Sequence, residues 1–324
     1  MSFDVVLRSI LSATFLASVI RVATPLLLPA IGGLISGVAG VINVALEGMM
    51  LTSAFVGVVV SAYTQNAWLG CLAGVAATIV LSIVLAYFHL NLKADIILAG
   101  LALNILASGG TIFLLYILTH DKGNSSKLAS LALPRVTIPL LDSVPFLGPV
   151  LSGHNVLTYV AFLLAFLTWV FLYKTSLGIH LRAVGENAEA AASVGINVRR
   201  VRYVALMLSG LASGLGGVNL AMGYLTLFQR DMTAGRGFIA LAAVELGNRS
   251  PLGVTLAALF FGFTDSLSNQ LGSLAIPPQI VQMIPYGATV LALAIYAARA
   301  RAAAVERARR FQERFEAQMA EAEA

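Results

Sequence analysis

Of 324 residues, 59% are hydrophobic and only 11% charged, with a formal net charge of +5. A soluble domain carries about 25% charged residues, so this composition excludes an ordinary soluble globular chain, and a single cysteine, Cys71, excludes an internal disulfide. Apolar runs close to the roughly 20 residues that cross about 30 Å of hydrocarbon recur along the chain, without the short alternating segments of a transmembrane β-barrel. The expected class is all-α: a polytopic transmembrane helical protein with about 8–10 spans, broken helices included.

The first apolar run, Ile10 to about Ala30, reads as a retained span. Asp4 precedes it, Arg21 interrupts it, and no clean small-residue cleavage site follows. Further spans are expected near 38–63, 67–89, 94–118, 154–173, 203–227, 235–248, 251–271 and 278–298. Residues 119–153 carry four prolines and no apolar period, so an irregular loop is expected there. Lys174, Arg182, Arg199, Arg200 and Arg202 put the 174–202 loop in the cytoplasm, and Arg299 and Arg301 do the same for the tail. The 119–153 loop then lies outside. Nine spans place the N-terminus outside despite Arg8, unless an early span is re-entrant.

Two stretches read as broken helices. "GGLISGVAGVINVALEGMM" has four glycines ahead of Asn43, followed by Glu47–Gly48. "MTAGRGFIALAAVELGN" leaves only about ten apolar residues after Arg236, a rise of about 15 Å. Interrupted helices at membrane depth survive beside protein or a water-filled path, and in both halves of a chain they point to transport. Ionisable and amide groups at such depth are expensive and should face a cavity or a partner. The candidate path residues are Asn43, Glu47, Asn104, Asn219, Arg236, Asp265 and Asn269, with Tyr224 and Phe228 as rings near the outer end of one span. The "SGLASGLGG" stretch, with Ser209, Ser213 and Gly217 four apart, reads as a helix-packing face.

Chemistry of its own is not expected. There is no G-x-x-x-x-G-K-[ST] phosphate loop, and His89, His120, His154 and His180 lie far apart. The chain reads as a non-enzyme with no cofactor, no metal site and no nucleic-acid partner. One polar, alanine-rich stretch remains, "RAVGENAEAAASVGINVRRVR" from Arg182 to Arg202. Asn187 suits an N-cap, Glu189 complements the helix dipole and Gly195 suits a C-cap, giving a two-turn helix over about 188–194. It is either a docking surface or an ordinary connection.

"EAAASVG" (Glu189–Gly195) resembles the E-A-A-x-x-x-G loop of bacterial ABC importer permeases, although "VALML" stands in place of the I-x-L-P that often follows it. "TPLLLPAIGG", "GVINVALEGMML", "LALNILA", "LRAVGENAEAAASVGINVRRVRY" and "MTAGRGFIALAAVELG" together resemble permeases of the branched-chain amino acid and ribose type. Among these the chain is most similar to nucleoside (simple-sugar) uptake permeases. The resemblance covers roughly residues 22–298 and implies a permease domain, taken as 1–298, with the coupling loop at 174–202; the 299–324 tail, with Phe311 and Phe315 four apart, reads as a solvated cytoplasmic helix from its own helix propensity. The resemblance implies that Glu186, Glu189, Ala190, Ala191 and Gly195 face an ATP-binding cassette subunit. It also implies a second homologous permease chain, an extracytoplasmic substrate-binding lipoprotein, membrane lipid as surroundings and a place in the bacterial inner membrane. A secondary transporter using Glu47 or Asp265 as an ion site, a simple channel, and an ABC permease for sugars or branched-chain amino acids are the alternatives.

Overall fold

The computed structural model describes residues 12–139 and 147–272, and scattered helical residues between 283 and 301. The expected last span at 278–298 and the tail at 299–324 therefore lie largely outside the described residues. The helices are α1 (Ala13–Val38), α2 (Leu46–Thr64), α3 (Ala67–Leu90), α4 (Ile96–Thr119), α5 (Leu147–Leu151), α6 (Val156–Lys174), α7 (Ser176–Glu186), α8 (Ala188–Ser193), α9 (Val198–Val218), α10 (Arg236–Leu246) and α11 (Pro251–Leu271). A π-helical turn, Asn219–Tyr224, extends α9. A two-residue antiparallel pair, β1 (Arg135–Val136) with β2 (His154–Asn155), pins the outer loop. Among the described residues seven helices are long and apolar enough to cross a membrane: α1, α2, α3, α4, α6, α9 with its π-turn, and α11.

Most helices begin on a polar side chain that accepts first-turn N–H groups, as the orphan donors of a helix start require. Ser12 caps α1, Asn66 caps α3, Asp95 caps α4 and Asn155 caps α6. Thr175, Asn187, Asn197 and Ser250 cap α7, α8, α9 and α11. Among the long helices and α10, two start without a side-chain cap of their own: α2, after Ala45, and α10, after Gly235. These are the starts of the two stretches that the sequence reads as broken helices.

The helix α9 is the centre of the packing. Its Gly210 and Gly214 lie against Thr78 and its neighbours on α3, Gly217 against Met50 and Ser53 on α2, and Gly216 against Pro29 on α1. Hydrocarbon gives helices no hydrophobic incentive to associate, so close backbone approach over small residues supplies the contact energy instead. The expected packing face is thus present as read.

The first broken stretch differs from its sequence reading. Helix α1 continues unbroken through Pro25, Pro29, Gly32, Gly33 and Gly37, and only residues 39–45 leave the helix. Gly32 serves close packing instead: a Cβ there would meet the Ser209 carbonyl at 2.6 Å. The turn itself falls at Gly40, whose φ of +75° lies in the left-handed region that favours glycine. The span expected at 38–63 accordingly starts eight residues later, at Leu46.

The ends of α1, α7 and α10 meet on the side of the basic loop. Gly37, Val38, Arg182, Glu186 and Arg249 line one groove there. This is the end that carries the excess of Lys and Arg, on which the expectation of a cytoplasmic loop rests. From the outer end of α9 the chain returns without regular helix over 225–235, passing Ser125 and Ser108, and completes its crossing as α10.

Candidate functional site

The two uncapped helix starts lie together and are capped by each other's surroundings. Asn104, on α4, accepts the Gly48 N–H through Oδ1 at 2.8 Å and donates from Nδ2 to the Val44 carbonyl at 2.9 Å. Glu47, in the first turn of α2, accepts the Gly235 N–H at 2.8 Å and the Gly237 N–H at 2.6 Å. A carboxylate at a helix N-terminus meets both the free N–H groups and the positive end of the dipole. Gly237 has to be small, because a Cβ there would run into the backbone of Glu47.

Next to this clamp, Arg236 donates from Nη2 to Asp265 Oδ2 on α11 at 3.2 Å. The two side chains are 22% and 23% exposed, so the pair is partly screened, and the Arg236 Nε has no hydrogen-bond partner. Asn269 stands one turn beyond Asp265 and is exposed. Ser108 on α4 donates to Asp231 at 2.9 Å, continuing the polar line across the non-helical return. Glu47, Asn104, Arg236 and Asp265 form one polar seam where two helices begin at depth, and Asn269 lies beside it.

Two expected path residues stand apart from the seam. Asn43 is 0% exposed; its Nδ2 donates to Ser209 Oγ at 2.9 Å and its Oδ1 accepts the Ala45 N–H at 3.0 Å. It fixes the corner between α1 and α2 and shares no open cavity with Glu47 and Arg236. Asn219 lies near the outer ends of α1 and β2, in the π-turn. Of the two expected rings, Tyr224 is exposed but Phe228 is fully buried, edge-on to Phe55 at 5.3 Å. Phe228 is a core residue, because the return segment folds inward over α2.

The polar, alanine-rich stretch forms the short helix α8. Asn187 Oδ1 accepts the N–H groups of Glu189 and Ala190 at 3.1 and 3.0 Å. At the other end Gly195, at φ +87°, and Ile196 return N–H groups to Ala192 and Ala191, a Schellman-type stop. Glu186, Glu189, Ala190 and Gly195 are exposed. Ala191 is not: it is 5% exposed and packs into the chain's own core with Leu181 and Val184. A six-residue helix has one inward face, and Ala191 is on it. Val194, 76% exposed, is the outward apolar residue that the motif alone did not single out.

The chain is thus a multi-pass helical protein in which two helix starts are joined by a polar seam and a short capped helix is presented beside the basic loop. The chain belongs to the family described as branched-chain amino acid transport system / permease component, whose model matches residues 15–293. It is similar to the guanosine ABC transporter permease protein NupQ of Bacillus subtilis, 38% identical over 86% of this chain and 90% of that one. It is likewise similar to the nucleoside ABC transporter permease protein NupC of Lactococcus lactis, at 35% over 88% and 92%. The putative glucose ABC transporter permease protein TsgC13 of Haloferax volcanii is 35% identical over 82% and 81%. No solved structure matches the chain. The chain is a permease subunit of an ABC importer, a multi-pass protein of the bacterial inner membrane.

Proposed function

We propose that this permease carries a nucleoside, or a closely related neutral polar solute, inward along the seam. One observation carries the reading: each charge of the seam already has a partner within the chain. Glu47 holds two backbone N–H groups, and Arg236 holds Asp265. A solute with its own carboxylate or ammonium would have to displace the Arg236–Asp265 pair or the backbone N–H groups that Glu47 accepts, whereas hydroxyls and ring nitrogens need only amides and backbone. Asn269, exposed on α11, supplies such an amide. Similarity to permeases named for guanosine and nucleosides supports the same class.

The chain has no ATPase chemistry of its own in this reading. An ATP-binding subunit docks on Glu186, Glu189, Ala190 and Val194, with Gly195 setting the end of α8. Ala191 anchors α8 from behind. A second, homologous permease closes the seam from the other side, and an extracytoplasmic binding lipoprotein delivers the solute. ATP turnover acts by favouring one of two states of the path, so it has to change the affinity of each state for the partner.

Reconstitution of the whole transporter with labelled guanosine, uridine, glucose and leucine tests this. ATP-dependent uptake of the nucleosides is expected. Leucine uptake without nucleoside uptake would refute the substrate class. Uptake that survives ATP depletion but not collapse of the ion gradient would refute the ABC mechanism in favour of an ion-coupled one.

A further inference from the structure

A second polar site lies at the outer end of the chain and has the opposite electrostatic character to the seam. A cavity of about 350 Å³ opens there, with Arg21, Arg135, His154, Asn155, Asn219 and Tyr224 in its wall. Among the described residues no aspartate or glutamate lines it. Arg21 comes from α1, on the same face as Thr14 and Ser18, and Arg135 from the start of β1. Neither arginine makes an ion pair among the described residues. Arg21 rests its guanidinium on the Tyr224 ring, 5.6 Å from the centroid, which leaves its in-plane donors free.

The π-turn makes the third wall. Its i→i+5 closure, Leu225 N–H to Leu220 carbonyl at 3.0 Å, brings Asn219 and Tyr224 to the same side, as an α-helical turn would not. Asn219 is 2% exposed, and its side chain makes no hydrogen bond among the described residues. The amide lies in the cavity wall, where it remains available to whatever the cavity receives. Asn155, by contrast, is bonded at both side-chain atoms: it donates to the Leu133 carbonyl and accepts the Leu157 N–H.

We propose that this outer cavity is a binding site for a phosphate-bearing group, held by Arg21, Arg135 and the Asn219 amide. Two guanidinium forks and an amide donor match the acceptor-rich oxygens of a phosphate, and among the described residues no acidic side chain in the cavity wall competes with it. Phosphate chemistry has two sources at this level, the headgroup of an anionic phospholipid and a soluble phosphate ester or inorganic phosphate. Either would tie α1, the β-pair and the π-turn of α9 together. The inference is independent of which solute the seam carries.

The full-length chain in nanodiscs of phosphatidylcholine, with and without phosphatidylglycerol, tests it by thermal unfolding, alongside titration of inorganic phosphate into the phosphatidylcholine discs at constant ionic strength. One or both additions should raise the unfolding midpoint. Arg21→Gln and Arg135→Gln should each weaken the apparent affinity at least about tenfold, each variant being compared with its own phosphatidylcholine baseline. Arg230→Gln, at an exposed arginine already paired with Asp231, should leave it unchanged. Response to phosphatidylglycerol alone assigns a lipid headgroup, and response to inorganic phosphate assigns a soluble ligand. No response to either, or an undiminished response in the Arg21→Gln/Arg135→Gln double variant, overturns the proposal.

Discussion

Glu47 and Gly237 bind each other across two helix starts: the carboxylate in the first turn of α2 accepts the N–H in the first turn of α10 at 2.6 Å. A helix that begins inside the membrane cannot leave its first donors to water. The side chain that satisfies them therefore also fixes where the two helices sit relative to each other.

Glu47→Ala removes an acceptor from two partly buried N–H groups. Loss of a charged acceptor of this kind costs about 1.5–3 kcal/mol. Amide hydrogen exchange at Gly235 and Gly237 should accelerate by at least about tenfold, since about 1.4 kcal/mol is a factor of ten. Uptake should fall with it, and Glu47→Gln should fall between the variant and the parent. Unchanged exchange at both amides would contradict the cap.

Arg236 and Asp265 should be coupled. Asp265→Asn leaves a partly buried guanidinium without its counter-charge, while Arg236→Gln with Asp265→Asn removes both charges together. The double variant is expected to be more stable than the sum of the single losses implies, by about 0.5–3 kcal/mol. A double-mutant cycle on thermal unfolding in detergent checks this, and additivity within error would show the pair to be inert.

Gly185 of α7 lies directly against the Val38 carbonyl at the end of α1, closer than a side-chain carbon can sit. Val38 leads through the turn at 39–45, whose corner Asn43 holds, to Glu47, so this contact connects α7 to the seam along the chain. Gly185→Val should pry α7 from α1. The expected phenotype is an assembled complex that hydrolyses ATP with uptake reduced at least about tenfold, a loss of about 1.4 kcal/mol of coupling. Full uptake in that variant would exclude this contact from the route.

Opposite outcomes are expected for two neighbouring substitutions in α8. Val194→Arg puts a charge on the outward face and should release the ATP-binding subunit in pull-down while the permease stays folded. Ala191→Arg forces a cation into the chain's own core and should lower the amount of folded permease itself. If Val194→Arg retains the ATPase at the parental level, the docking face lies elsewhere.

Water access should divide the expected path residues. In a Cys71→Ala background, Asn269→Cys should react with small water-soluble thiol reagents, whereas Asn43→Cys should not, because Asn43 is fully enclosed. Rapid labelling at position 43 and none at 269 would reverse the assignment of the path.

Composition and pattern by themselves determined that this chain is a bundle of membrane helices, because an apolar run of span length has few other stable fates in a bilayer. They also determined the short cytoplasmic helix, since Asn187 and Gly195 act on the backbone within a few residues of themselves. The half-depth start at Arg236 was legible too, from the small number of apolar residues after it. What only tertiary structure decided is which polar group answers which. The first glycine cluster looks the same in sequence whether it breaks a helix or packs one, and contact with Ser209 settles that Gly32 packs. Asn43, Glu47 and Asn219 are alike as polar residues at depth, yet one closes a corner, one caps a helix formed by residues 188 and 190 positions later in the chain, and one faces a cavity with no partner. Capping by a distant residue leaves no local signal, because the donor and acceptor become neighbours only when the helices pack.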